Sequence, residues 1–306
     1  MTVSTLRLTG PSARGIRVSG ALLRDVLDTL VDAVQQSVRL RAEGRSKAAG
    51  PAPAWLEKAS SFDVEIRAGS TQLVLDAPPL GDVAPERFAQ QELFEPVRPD
   101  KTCLDVLADA LDDALGSKPD SDLYDDGLVE TLESFGRVFR HEIEGIEFFN
   151  GRSRRLDREG VESLRQLRRR IPPEQRARVA GKLDLLRHSN RMFALILDSA
   201  ETVRGVVVAE ADFAAIRPLL GERVVVSGVA RFRPSGRVLR IEADQLVRAE
   251  GDTSVWAVSP RPLLQELDVR SLRQQQGPKS GVAAIFGQWP GDESDEDFAA
   301  ALRDLS

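Results

Sequence analysis

The sequence predicts an α+β protein: an N-terminal α/β unit, a helical middle, a five-stranded β-barrel and a flexible C-terminal tail. Apolar residues recur at helical spacing after Ser19, and short alternating runs of apolar and polar residues fill 176–248. Past residue 250 this patterning stops, and prolines with a run of glutamines indicate a linker. We therefore expect domains at 1–80, 81–171 and 172–250, with a linker and acidic tail at 251–306.

The composition is that of an ordinary globular protein, with 42% apolar and 29% charged residues. No apolar run approaches the ~20 residues that a membrane helix needs, so no membrane association is expected. The first residues lack the basic and apolar pattern of an export signal. Cys103 is the single cysteine, which excludes an internal disulfide. These features favour a cytoplasmic location.

The N-terminal unit is predicted to lay one long helix on a small sheet. Ser19 is a suitable N-cap, and Gly44 marks the expected end of the helix. Two alternating runs, 62–66 and 72–75, flank a turn at 68–70 and indicate a hairpin. Core packing is favoured over a dimer seam for the apolar stripe, which comprises Leu23, Leu27, Leu30, Val34 and Val38.

The middle of the chain is predicted to be mainly helical. Helices are expected over 100–115 and from Ser121, followed by a hairpin around Asn150-Gly151. Asp157 is the expected cap of a basic helix that ends at the prolines after Ile171. The acidic pair Asp125-Asp126 is interpreted as solvated surface, because buried carboxylates are rare.

Five strands with one helix between the third and fourth are expected in 176–248, the helix over 209–220. This order resembles an OB-fold barrel. Gly181, inside the long first strand, is the expected site of a bulge that bends the strand. Such barrels serve many functions, so the fold alone does not identify one.

No catalytic constellation is visible. Two histidines and one cysteine make a zinc site improbable on ligand count, and no phosphate-binding loop or activated nucleophile is present. The prediction is a non-enzymatic protein with no cofactor and no metal.

Residues 151–192 hold 13 Lys/Arg against 5 Asp/Glu, a net charge of +8. Together with the loops of an OB-like barrel, this basic segment is a candidate surface for single-stranded nucleic acid. The favoured alternative is a solvated basic face, or one that pairs with acidic parts of the same protein. The candidate nucleic-acid-binding residues are Arg168, Arg169, Arg170, Arg176, Arg178, Arg191, Arg233 and Arg237.

The tail combines apolar anchors with negative charge. Residues 287–306 carry 1 Lys/Arg and 6 Asp/Glu, net −5, and Ser294 precedes Asp297 in a helix-start pattern. A helix of roughly ten residues is marginal alone, so its apolar face needs a surface, either on a partner or on the barrel. The apolar strip at 283–291 contains Trp289, and a Trp flanked by mobile chain is a suitable partner anchor.

The stretch 286–297, Phe-Gly-Gln-Trp-Pro-Gly-Asp-Glu-Ser-Asp-Glu-Asp, and the amphipathic segment after it resemble the toxin-binding tails of bacterial antitoxins paired with PIN-domain ribonucleases. The resemblance implies neutralisation of a PIN-type ribonuclease toxin through the tail. No DNA-reading motif of those antitoxins is evident in the rest of the chain. The implied partner-binding residues are Phe286, Trp289, Asp292, Phe298, Leu302, Arg303 and Leu305.

Overall fold

The computed structural model describes residues 4–13, 18–67, 71–88, 97–187, 191–208 and 216–264. They belong to one compact unit, Met1–Gln265, which holds two hydrophobic cores. The first core lies in an α/β lobe that extends to Ile171, and the second fills a closed five-stranded barrel. The predicted α+β class with a barrel is therefore confirmed.

The α/β lobe is built on a five-stranded antiparallel sheet in the order β2-β3-β1-β4-β5. The first strand lies in the centre, with Leu6 opposite Leu73 on one side and Phe148 on the other. Residues from the predicted units 1–80 and 81–171 thus share one sheet and one core. The strands are β1 (Ser4–Thr9), β2 (Asp63–Arg67), β3 (Gln72–Asp76), β4 (Gly145–Asn150) and β5 (Arg152–Leu156).

Helices pack against this sheet and complete the core of the lobe. The longest helix forms as predicted. The hydroxyl of Ser19 accepts a hydrogen bond from the Leu22 N–H at 3.1 Å, and Gly44 ends the helix with a left-handed φ of 73°. The helices are α1 (Gly20–Glu43), α2 (Ala54–Ala59), α3 (Leu80–Val83), α4 (Pro85–Phe88), α5 (Cys103–Leu115), α6 (Asp126–Glu133) and α7 (Arg158–Arg170), with 3₁₀ turns at Pro11–Ala13 and Ser134–His141.

The helix expected from Ser121 begins five residues later, so that prediction is wrong in its start. Ser121 donates its hydroxyl hydrogen to Asp113 at 2.6 Å and accepts from the Leu123 N–H at 3.0 Å, which holds it in a turn. Asp125 caps α6 instead, because its carboxylate accepts from the Leu128 N–H at 3.0 Å.

The barrel closes in the order β10-β8-β7-β6-β9. The third and fifth of its strands are parallel, and the other neighbours are antiparallel. The predicted five-stranded barrel is confirmed, and the arrangement is compatible with an OB-like fold. Its strands are β6 (Gln175–Arg187), β7 (Met192–Ile196), β8 (Thr202–Val207), β9 (Arg223–Phe232) and β10 (Val238–Arg248).

The bulge of the long first barrel strand is not at Gly181. The register with β7 shifts between Leu183 and Leu185, so Asp184 is the extra residue. Gly181 is required for another reason: a Cβ there would lie 2.8 Å from the Ile196 carbonyl oxygen. Most of the predicted helix over 209–220 lies outside the described residues, which include buried Ile216 and a 3₁₀ turn at Arg217–Leu219.

Within the described ranges, no helix combines the length and apolar character that crossing a membrane requires.

Candidate functional site

The predicted partner-binding residues of the tail all lie outside the described residues. The structure therefore leaves their role as a prediction. These residues are Phe286, Trp289, Asp292, Phe298, Leu302, Arg303 and Leu305.

Several arginines of the basic segment pair with acidic side chains of the same chain. Arg168 lies at the end of α7 and reaches Asp126 at 3.0 Å, Glu130 at 3.1 Å and Glu133 at 3.8 Å. A hydrogen bond from Lys47, together with the charge of Arg168, holds the pKa of Glu130 below its usual range. Much of the positive charge here is therefore neutralised within the α/β lobe.

The other predicted arginines differ in what surrounds them. Arg169 and Arg170 are exposed at the end of α7, and Arg191 is exposed at the entrance to β7 with a positive φ of 57°. Arg176, on β6, pairs with Asp244 of β10 across the barrel surface. Of these side chains, Arg176 has its charge compensated by a carboxylate of the barrel.

The loop between β9 and β10 is attached to the α/β lobe. Arg233 donates from Nε to Asp122 Oδ1 at 3.0 Å, and Arg237 Nη1 lies 3.8 Å from Asp120 Oδ1. The Ser235 hydroxyl also donates to Asp120 at 2.6 Å. Two predicted nucleic-acid-binding arginines thus contact carboxylates of the turn that precedes α6.

A buried ion pair joins the two lobes beneath this loop. Arg240 Nη2, on β10, donates to Asp125 Oδ2 at 3.0 Å, and both side chains are more than nine-tenths buried. Asp125 also accepts from the Ser46 N–H at 3.1 Å, and Arg240 donates to Glu242 at 3.0 Å. The interpretation of Asp125 as solvated surface is wrong, because a partner from the barrel compensates its burial.

The electrostatics of Asp125 follow from these contacts. Burial alone would raise the pKa of its carboxyl, but the Arg240 charge and hydrogen bonds from Ser46 and the Leu128 N–H outweigh burial. The pKa is therefore lowered, and the carboxylate remains ionised at neutral pH.

A cavity of about 400 Å³ opens between α6 and the barrel beside this pair. Part of its charged lining is paired, with Lys47 Nζ 2.6 Å from Glu130 and Arg231 3.3 Å from Glu242. In contrast, Arg231 Nε and Arg240 Nη1 are buried without a hydrogen-bond partner among the described residues. None of the lining residues is a histidine or cysteine. The cavity is thus lined mainly by charged side chains from both lobes.

The chain after the barrel forms a strap, residues 253–264, that runs along β6. Gln175 holds it at two points, donating to the Arg261 carbonyl at 2.7 Å and accepting from the Leu263 N–H at 2.9 Å. Arg223 donates to the Thr253 hydroxyl at 3.1 Å. The strap is thus fixed to the barrel by polar contacts.

The strap also presents apolar side chains to solvent. Val255 is 80% exposed and Leu263 is 86% exposed, and Val258 and Leu264 are exposed as well. Trp256 is half-buried under the Arg178 guanidinium, whose carbon lies 5.6 Å from the ring centroid. Sequence analysis missed this surface because 251–280 lacks periodicity and was interpreted as linker.

His141 and Cys103, which lie outside these charge networks, also have partners within the fold. His141 Nε2 lies 2.9 Å from Asp25 Oδ2, and this hydrogen bond lowers the pKa of Asp25. Burial raises the pKa of the Cys103 thiol to about 12, which makes it a poor nucleophile. In the part of the chain that the structure describes, no group of three His, Cys, Asp or Glu residues is arranged to hold a metal ion.

Comparisons with protein-family models, curated proteins and solved structures find no match for this chain.

Proposed function

We propose that this chain is a non-enzymatic interaction protein that binds a protein partner through its C-terminal part, beginning with the strap. The observation that carries the proposal is the exposure of Val255, Val258, Leu263 and Leu264 on backbone that is fastened to the barrel. Exposed apolar side chains concentrated on a short, fixed segment are a candidate interaction surface.

The way the strap is held supports binding. Gln175 holds its backbone at two points and Arg223 holds the Thr253 hydroxyl, before any partner arrives. A segment ordered in advance loses less conformational entropy on association than a free one. The strap leads directly into residues 265–306, so an interface that starts on the strap continues naturally into the tail.

The partner class we propose is a PIN-type ribonuclease toxin. This rests on the resemblance of residues 286–297 and on the net charge of −5 in 287–306, which suits a basic partner surface. In this proposal Phe286 and Trp289 fill apolar pockets, and Arg303 is the tail cation that approaches the acidic site of the nuclease.

The test is titration calorimetry of the full chain against a purified PIN-domain ribonuclease, together with an assay of that ribonuclease's activity. Deleting residues 281–306 is expected to abolish neutralisation, and Leu263→Ser is expected to weaken binding about tenfold. Phe149→Ser is the matched control, because Phe149 is 44% exposed on the sheet of the other lobe. Full-strength binding and inhibition by the truncated protein would refute the proposal.

A second candidate function is binding of single-stranded nucleic acid. The barrel order and the stacked Arg178–Trp256 pair on its surface favour it, since stacking platforms beside cations suit single strands. Two variants are expected to weaken binding of a labelled oligonucleotide of about 15 nucleotides, measured by fluorescence anisotropy. One is Trp256→Ala, and the other neutralises Arg168, Arg169 and Arg170. The triple neutralisation is also expected to flatten the salt dependence, and an unchanged slope would exclude the basic segment.

A further inference from the structure

The outer strand of the α/β sheet is unusually exposed. All five residues of β2, Asp63–Arg67, are solvent-exposed, whereas the central residues of its neighbour β3 are buried. In the described part of the sheet β2 pairs with β3 alone, so its other edge carries unpaired backbone groups. A strand of this kind is a template for pairing with another strand.

Two common protections of an edge strand, a bulge and a proline, are absent from β2. Its register with β3 runs without a shift from Asp63 opposite Asp76 to Arg67 opposite Gln72, so no bulge bends it away. Its sequence, Asp-Val-Glu-Ile-Arg, contains neither proline nor lysine. Val64 and Ile66 lie on one face of the strand and are 39% and 46% exposed.

The side chains of β2 are complementary to those of the same strand turned around. Pairing two copies antiparallel about Glu65 places Asp63 of each copy opposite Arg67 of the other. The same register places Val64 opposite Ile66, so four β-branched side chains meet on one face.

The two Glu65 side chains would meet at the centre of this pairing. Each Glu65 carboxylate has Arg67 of its own strand beside it, because Arg67 Nε donates to Glu65 Oε1 at 3.3 Å and Nη2 donates to Oε2 at 3.4 Å. The register therefore combines Asp–Arg pairs at both ends, apolar contact on one face and backbone hydrogen bonding, with each Arg67 between its own Glu65 and Asp63 of the other copy.

We propose that β2 is a homodimerisation edge, through which two copies of this chain join their sheets antiparallel about Glu65. The partner is a second copy of this chain because its own β2 supplies the complementary charge at each end. The joined sheet has ten strands, with β2 of each copy at its centre.

The first experiment is light scattering on the full chain after size exclusion, at about 100 µM protein, because association depends on protomer concentration. The expected mass is twice that of the 33.6 kDa chain. The Val64→Lys, Ile66→Lys double variant is expected to give the monomer mass with an unchanged circular dichroism spectrum. Val31→Lys with Phe149→Lys adds equal charge at exposed apolar positions outside β2 and is expected to remain dimeric.

The second experiment tests the register by oxidation. Glu65→Cys is expected to form an intermolecular disulfide, since residue 65 alone faces itself about the two-fold axis. Asp63→Cys faces Arg67 and is expected to stay reduced, and buried Cys103 does not compete. A monomeric wild-type chain, a dimeric double-lysine variant, or equal cross-linking at 63 and 65 would each overturn the proposal.

Discussion

Asp125 is expected to be one of the buried positions at which substitution destabilises the protein most. Asp125→Ala removes the α6 cap, which costs about 1 kcal/mol, and leaves the buried Ser46 N–H without its acceptor, which costs about 1–3 kcal/mol. It also removes one of the two carboxylates that compensate Arg240. Because Glu242 remains 3.0 Å from Arg240, this loss is smaller than the roughly 3–5 kcal/mol of a fully broken buried pair.

The expected total for Asp125→Ala is about 4 kcal/mol in the free energy of unfolding, measured by urea titration with circular dichroism. Asp125→Asn keeps a capping side chain and an acceptor for Ser46 and is expected to cost about 2 kcal/mol. Asp126→Ala is the control at the neighbouring position. Its side chain is 49% exposed and pairs at the surface with Arg168, so a cost below about 1 kcal/mol is expected.

The same pair predicts a pH dependence. Because the pKa of Asp125 is lowered by folding, its contribution is fully present above the unfolded value of about 3.9. It is lost as the pH falls below that value through the folded pKa. The difference between wild type and Asp125→Asn is therefore expected to shrink below about pH 4. An Asp125→Ala cost no larger than that of Asp126→Ala would refute the reasoning.

Three further outcomes are expected. Gly205→Ala places a Cβ 2.2 Å from Phe193 Cζ and is expected to cost at least about 1–3 kcal/mol in urea titrations, whereas Gly20→Ala meets no atom within 4 Å and serves as its control. Cys103, with its pKa raised to about 12, is expected to react with a thiol reagent at about pH 8 only after urea unfolds the chain; reaction in the native protein would contradict its burial. Ser19→Ala is expected to cost about 1 kcal/mol in the same titrations, and no change would mean that its hydrogen bond to the Leu22 N–H adds nothing to helix stability.

Elements defined by neighbouring residues were predictable from the sequence. The start and end of α1 follow from Ser19 and Gly44, and the β4–β5 turn follows from Asn150-Gly151. The five barrel strands alternate within one continuous stretch, so their pattern survives in the sequence. Local chemistry and tertiary structure agree at these positions.

Features set by distant residues were not predictable. Ser121 and Asp125 are both suitable caps, and the choice depends on Asp113, which binds Ser121. Asp125 is buried because Arg240, 115 positions later, lies above it. No sequence pattern marks which carboxylate meets which arginine, so the interlobe pairs were missed. The functional predictions for the tail stay predictions.

The central position of β1 has a consequence for synthesis on the ribosome. Its partner β4 follows roughly 140 residues later, with Thr5 opposite Phe149, so the first sheet stays incomplete until the middle of the chain has emerged. The barrel strands, in contrast, are contiguous from Gln175 to Arg248 and close without the N-terminal residues. An excised barrel is therefore a better candidate for independent folding than a fragment cut at residue 80, which would leave one edge of β1 open to aggregation while the chain is nascent.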